Sequence, residues 1–142
     1  RDLKDDSPTL TFNTIGRHVS CMVRTKVVSV LSPWLSKVNL GDEHTIAVSH
    51  GEGRFTATPE MIELLKKNGQ IATQYVDLEG NPTYDIKFNP NGSVEAIEGI
   101  TSPDGRVFGK MGHSERIGSH VAINVPGEKD QMIFEAGIEY YR

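Results

Sequence analysis

The sequence is short of the features that mark many functional classes. It has a single cysteine, Cys21, in 142 residues. No internal disulfide can form, and a reducing, cytoplasmic setting fits better than a secreted one. Basic residues are in deficit: 15 Lys and Arg stand against 19 Asp and Glu, a net charge of −4. That balance gives no electrostatic reason to expect nucleic acid or an anionic membrane as partner. No apolar run approaches the ~20 residues that span a bilayer. Arg1-Asp2-Leu3-Lys4-Asp5-Asp6 has no apolar stretch behind its charges, so it is not a signal peptide. The sequence starts at Arg1 with no initiating methionine, as expected of a fragment, a processed product or a trimmed polypeptide. Internal repeats and low-complexity tracts are absent.

What is present is an ordinary globular composition. With 37% hydrophobic and 24% charged residues, the chain is neither disordered, fibrous nor a coiled coil. Its length is that of one domain, able to bury roughly two-thirds of its unfolded surface.

The strongest local signal is Thr58-Pro59-Glu60-Met61-Ile62-Glu63-Leu64-Leu65-Lys66-Lys67-Asn68-Gly69. Thr58 can cap, Pro59 fits the first helical position, and Glu60 suits the positive end of the dipole. Met61, Leu64 and Leu65 form one apolar stripe, Glu63 and Lys67 an i, i+4 pair, and Gly69 a left-handed stop. A helix is predicted here and a second over Asp130–Tyr141, where Met132, Ile133, Ala136 and Tyr140 recur at helical spacing. Strands are predicted over His18–Val30, Thr45–Ser49 and Gln70–Val76. The run Thr45-Ile46-Ala47-Val48-Ser49 reads as a strand buried on both faces. Glu95–Thr101 and Arg106–Met111 flank Ser102-Pro103-Asp104-Gly105 and should form an antiparallel hairpin. The pattern is that of an α/β or α+β domain.

Asp77–Gly92 reads as loop, because Pro fixes φ and Asn and Gly tolerate positive φ. In secreted proteins Asn91-Gly92-Ser93 would be a glycosylation sequon; here it reads as a turn. His50-Gly51-Glu52-Gly53-Arg54-Phe55 follows an apolar strand, where α/β folds place ligands. Two glycines around a glutamate let backbone amides approach a ligand, and Glu52 and Arg54 can read charge.

A third strand end, Gly112-His113-Ser114-Glu115-Arg116, carries the chemistry. In an extended segment residues i and i+2 lie on the same side about 6 to 7 Å apart. Glu115 can then hold one nitrogen of His113 and leave the other free as a base. Taken alone, His-x-Glu also occurs as a plain ion pair. Neither local candidate completes a nucleophile–base–orienter triad. Cys21 sits mid-strand without the small neighbours of a nucleophile elbow and reads as a small buried hydrophobe or a spectator. Ser114 fails Gly-x-Ser-x-Gly because residue 116 is arginine. His44, His50 and His120 are not at metal-ligand spacing. His18 and His120 read as ordinary surface or interface residues, and Tyr140 and Tyr141 as docking groups for the last helix.

Four segments occur in order: Ser49-His50-Gly51-Glu52-Gly53-Arg54-Phe55, Asn89-Pro90-Asn91-Gly92-Ser93, Ile97-Glu98-Gly99-Ile100 and Gly109-Lys110-Met111-Gly112-His113-Ser114-Glu115-Arg116. Together they resemble the class I glutamine amidotransferase domain of the phosphoribosylformylglycinamidine synthase family. The resemblance implies a glutaminase with a Cys-His-Glu triad, whose ammonia goes to an ATP-dependent synthetase that amidates formylglycinamide ribonucleotide in purine biosynthesis. It maps base and orienter onto His113 and Glu115, with Ser114 standing where proline is common. It also makes His50, Gly51, Glu52, Gly53 and Arg54 substrate-site candidates for glutamine. The family's cysteine lies on an elbow upstream of these segments, and nothing here matches it.

The resemblance therefore implies that residues 1–142 are the carboxy-terminal portion of a single amidotransferase domain, inactive alone. The fold it implies is a flavodoxin-like α/β sandwich with a mostly parallel central sheet plus an antiparallel hairpin. No cofactor is expected in this chain. ATP and Mg2+ would belong to the synthetase region, the expected partner, since no Walker-type glycine loop is present. Two other readings stay open: a non-catalytic partner-docking module, and a self-contained Cys-His hydrolase using Cys21.

Overall fold

The computed structural model describes residues 7–117 and 122–142. The expectation for His120 therefore lies outside the described residues. The strands are β1 (Thr9–Thr11), β2 (Val19–Val27), β3 (Glu43–His50), β4 (Arg54–Thr56), β5 (Ile71–Tyr75), β6 (Ile97–Thr101) and β7 (Phe108–Lys110). Two α-helices join them, α1 (Pro59–Lys67) and α2 (Ile133–Tyr140). β1 pairs with β4 in a two-stranded sheet, and the main sheet runs β3-β2-β5-β6-β7.

Every neighbouring pair in the main sheet is antiparallel. This corrects the expected mostly parallel sheet, and the reason lies in the connections. A parallel pair needs a crossover, usually helical. One such crossover, through β4 and α1, links β3 to β5. It does leave those two strands parallel, but β2 lies between them and pairs with both. What survives of the prediction is the mixed α/β character.

The sequence signals explain the elements. In β2, Val23, Thr25 and Val27 are buried while Arg24 and Lys26 between them are less so, the alternation of a strand with one face inward. In β3, His44, Thr45 and Ile46 are consecutively buried. Burial on both faces was expected of a strand in a parallel sheet, but β3 is an edge strand of an antiparallel one. Loop backbone covers it instead: Thr45 N–H donates to Glu128 O (2.6 Å), and His113 N–H donates to Ala47 O (2.8 Å).

Helix α1 starts where expected, with Thr58 Oγ1 accepting from the Met61 amide (3.2 Å), and Gly69 follows it at φ +67°. Its buried residues are Ile62 and Leu65. Leu64 is exposed, so the stripe is rotated from the predicted one. They pack with Phe55, Ile71 and Ile97. Glu63 pairs with Lys66 (3.4 Å), not with Lys67.

The β6–β7 hairpin closes through Ser102-Pro103-Asp104-Gly105, where Gly105 N–H donates to Ser102 O (2.9 Å). Helix α2 buries Ile133, Ala136 and Gly137, and begins after the predicted Met132, which is left-handed at φ 54°. It is held against the short 3-10 turn Pro33–Leu35: the Trp34 and Tyr141 rings lie 5.7 Å apart. Among the described residues no helix is long and apolar enough to cross a membrane.

Candidate active site

The loop leaving β7 is fixed before it reaches its histidine. Met111 N–H donates to Glu98 O (3.1 Å), extending the hairpin ladder by one bond. Gly112 N–H donates to Glu98 Oε1 (2.6 Å), and Lys110 Nζ donates to Gly112 O (2.8 Å). Gly112 has no room for a side chain: a Cβ there would lie 2.0 Å from Ile46 Cδ1. His113 then docks its amide on Ala47 O of β3. Ser114 is buried and its hydroxyl donates to Gln131 Oε1 (2.6 Å).

On this footing His113 Nδ1 meets Glu115 Oε1 at 2.7 Å. The sequence reasoning reached that pair through an extended segment. The structure makes it through a turn, with Arg116 N–H donating to His113 O (3.2 Å). Nδ1 can meet a carboxylate only as an N–H donor, so in the neutral ring the lone pair lies on Nε2. That Nε2 is buried and has no hydrogen-bond partner among the described residues. The Glu115 carboxyl is held below its ordinary range, first by its own backbone amide and next by the His113 ring.

His50, the last residue of β3, stacks on this imidazole with ring centroids 5.1 Å apart and planes 8° from parallel. Its Nε2 donates to Met111 O. Desolvation pulls the His50 pKa down, so it is neutral at pH 7 and adds no cation beside His113. The two rings share a cavity of about 490 Å³ with Trp34, Phe108, Lys110 and Glu115.

The other predicted loop residues sit differently. Asn13 is a buried bracket for residues 50–53: its Nδ2 donates to His50 O (2.6 Å), its Oδ1 accepts from Gly53 N–H (2.9 Å), and its own amide donates to Gly51 O (3.1 Å). Glu52 and Arg54 are exposed. Neither they nor Gly51 and Gly53 line the His113 cavity. The structure thus brings His50, His113 and Glu115 together and leaves Gly51, Glu52, Gly53 and Arg54 outside that group.

The Asn89-Pro90-Asn91-Gly92 loop is buried against the bracket. Asn91 O accepts from the Thr14 amide (3.3 Å), and Asn91 Nδ2 donates to Tyr75 Oη (3.4 Å). Burial of Tyr75, with Glu98 nearby, pushes its phenol pKa up.

Cys21 is exposed, which corrects the buried-hydrophobe reading. It does not line the His113 cavity, and partial desolvation pushes its thiol pKa up, away from the thiolate. The spectator reading fits it, and the Cys21 hydrolase does not. Among the described residues no three His, Cys, Asp or Glu side chains are grouped to hold a metal.

Sequence reasoning missed Glu98, Lys110, Asn13 and Gln131. A signal existed for Glu98 alone: a carboxylate inside the apolar strand Ile97-Glu98-Gly99-Ile100 must be paired if buried.

Comparison with known proteins agrees with the carried motifs. Over 122 residues the chain is 35% identical to phosphoribosylformylglycinamidine synthase subunit PurQ of Chlorobaculum parvum, covering 85% of this chain and 46% of that protein. It is 40% identical over 94 residues to the Thermomicrobium roseum PurQ, covering 66% of this chain and 39% of that one. A third relative, phosphoribosylformylglycinamidine synthase of Saccharomyces cerevisiae, is 47% identical over 79 residues, which are 54% of this chain and 6% of the yeast protein. The chain therefore spans about half or less of the length of these relatives. The structure of PurLQS from Thermotoga maritima shares the fold, with a TM-score of 0.70 at 24% identity over 96% of this chain and 54% of that one. The model of the CobB/CobQ-like glutamine amidotransferase domain matches residues 1–141, and the chain belongs to that family.

Proposed function

We propose that this chain is the base-bearing, carboxy-terminal portion of a glutamine amidotransferase domain of phosphoribosylformylglycinamidine synthase. The observation that carries the reading is the His113 imidazole, fixed at Nδ1 by Glu115 with Nε2 buried and unpartnered among the described residues. Such a ring takes a proton from a nucleophile at Nε2, and the carboxylate stabilises the imidazolium that forms.

The nucleophile is a cysteine supplied by polypeptide outside these residues. Its thiolate attacks the side-chain amide carbon of glutamine. His113 hands the proton to the departing ammonia, and then deprotonates the water that cleaves the thioester to glutamate. The oxyanion of the tetrahedral intermediates on either side of the thioester would be held by backbone amides of the same outside portion. The parallel part of a flavodoxin-like sandwich belongs there too. Within this chain His50 stands nearest to the chemistry, its ring stacked on that of His113, while Gly51, Glu52, Gly53 and Arg54 lie outside the cavity the two rings share.

The ammonia passes to the ATP- and Mg2+-dependent synthetase region, which amidates formylglycinamide ribonucleotide. The yeast relative, in which the match is a small part of a long chain, supports a synthetase partner within one polypeptide. The PurLQS neighbour supports one within a complex.

The test is a His113→Ala substitution in the full-length enzyme. Glutamine-dependent amidation should fall by several powers of ten while amidation from added ammonia persists. Equal glutamine-dependent rates in the variant and the parent would leave the docking-module reading standing instead.

A further inference from the structure

We infer that Glu98 and Lys110 are positioning residues for His113, acting through the peptide groups of Gly112. The inference rests on the reading of His113 as the glutaminase base. Glu98 and Lys110 form an ion pair of 3.1 Å, with the Glu98 side chain 0% and the Lys110 side chain 12% exposed. The two opposite charges grip the two sides of one residue. Glu98 Oε1 accepts from Gly112 N–H (2.6 Å), and Lys110 Nζ donates to Gly112 O (2.8 Å). The second carboxylate oxygen, Oε2, accepts from the Thr73 hydroxyl, which anchors the pair to β5.

Burying such a pair is costly. Apolar side chains of similar volume often serve stability as well or better. They could not satisfy a buried N–H and C=O, however. Desolvation opposes ionisation of Glu98, yet the Lys110 ammonium foremost, with Thr73 and the Gly112 amide, outweighs it and keeps the carboxyl below its ordinary range. The Glu98 carboxylate form is thereby favoured, and its grip on the Gly112 amide is charge-assisted.

The consequence reaches the next residue. Gly112 is pressed between Ile46 and Glu98, and the following amide is bound to Ala47 O. The backbone entering His113 is thus held on three sides, and Glu115 fixes the ring itself. A misplacement of about 1 Å at a reacting group can cost on the order of 100-fold, so the clamp acts on turnover more than on substrate affinity.

The experiment uses the full-length synthase with Glu98→Gln and, separately, Lys110→Met, and reads both glutamine-dependent and ammonia-dependent amidation. Each variant should lower glutamine-dependent kcat about 10- to 100-fold, leave the glutamine KM within about twofold, and leave the ammonia-dependent rate unchanged. Lys110→Arg, which keeps the charge and donors, should recover much of the loss. If Glu98→Gln does not fold, its ammonia-dependent rate falls as well, and the Lys110 pair of variants decides the matter. An unchanged kcat in folded Lys110→Met, or an Arg variant as impaired as the Met one, overturns the inference. His113→Ala run alongside separates the two readings. If it abolishes glutamine use while the clamp variants do not, the clamp alone is wrong; if it does not, the base assignment is wrong.

Discussion

Gly112→Ala tests the packing that delivers the histidine. The new Cβ would lie 2.0 Å from Ile46 Cδ1, 2.9 Å from Ile46 Cγ1 and 2.8 Å from Glu98 Oε1. Carbon atoms in contact sit about 3.5–4.0 Å apart, so something must yield by about 1.5 Å. Ile46 is 2% exposed and packed with Val23, Val48, Tyr75 and Ala96, which leaves the loop as the softer side. Overpacking of this kind costs about 1–3 kcal/mol. Ile46→Val removes Cδ1 and by itself costs about 1 kcal/mol.

The clash is shared between these two residues, so their effects cannot add. The double variant should be less destabilised than the sum of the singles by about 0.5 kcal/mol or more, the relief being partial because a carbon remains near the Cγ1 position. Chemical denaturation of the 142-residue chain and its three variants measures the cycle. Strict additivity would refute the claim that residue 112 is glycine for lack of space against Ile46.

Ser114→Ala should cost about 1–3 kcal/mol and lower Tm by several degrees in a thermal scan. It strips a hydrogen bond from a buried Gln131 amide whose Nε2 has no partner among the described residues. The pH dependence follows from His44 and His50, both held by desolvation below their ordinary pKa. Their unfolded forms bind protons near pH 6.5 while the folded forms resist. Stability is then full above that pH and is lost as pH falls toward the depressed folded values. Denaturation midpoints should drop between pH 7 and 5.5, and His44→Gln should flatten the drop. Cys21 should react slowly with iodoacetamide at pH 7.5 and show its rate increase only above about pH 8.5. A thiolate titrating below that would revive Cys21 as a nucleophile.

How much of this was legible follows from how local each signal is. Helix α1 carries its own cap, first-turn proline and terminal glycine, and the Ser102–Gly105 turn carries its own turn residues, so both were readable within a dozen positions. The His113–Glu115 contact is local too, although a turn makes it and not an extended strand. Strand pairing is not local. The consecutive burial of His44, Thr45 and Ile46 resembles a central parallel strand, whereas the cover over β3 comes from residues 113 and 128, far along the chain.

The supporting contacts of the site were hidden for the same reason. Ser114 finds Gln131 across 17 positions and Gly53 finds Asn13 across 40. Lys110 and Glu52 look alike in sequence as charged residues near glycine. Packing alone decides that the first is buried in an ion pair and the second is exposed.

Base catalysis by His113 requires one ring in one protonation arrangement. Long-range proton–nitrogen correlation spectra of the histidine side chains read it directly at pH 8. The prediction is that the His113 proton sits on Nδ1 with Nε2 bare, and that Glu115→Gln shifts the proton toward Nε2. A parent chain already protonated at Nε2, unmoved by that substitution, would contradict it.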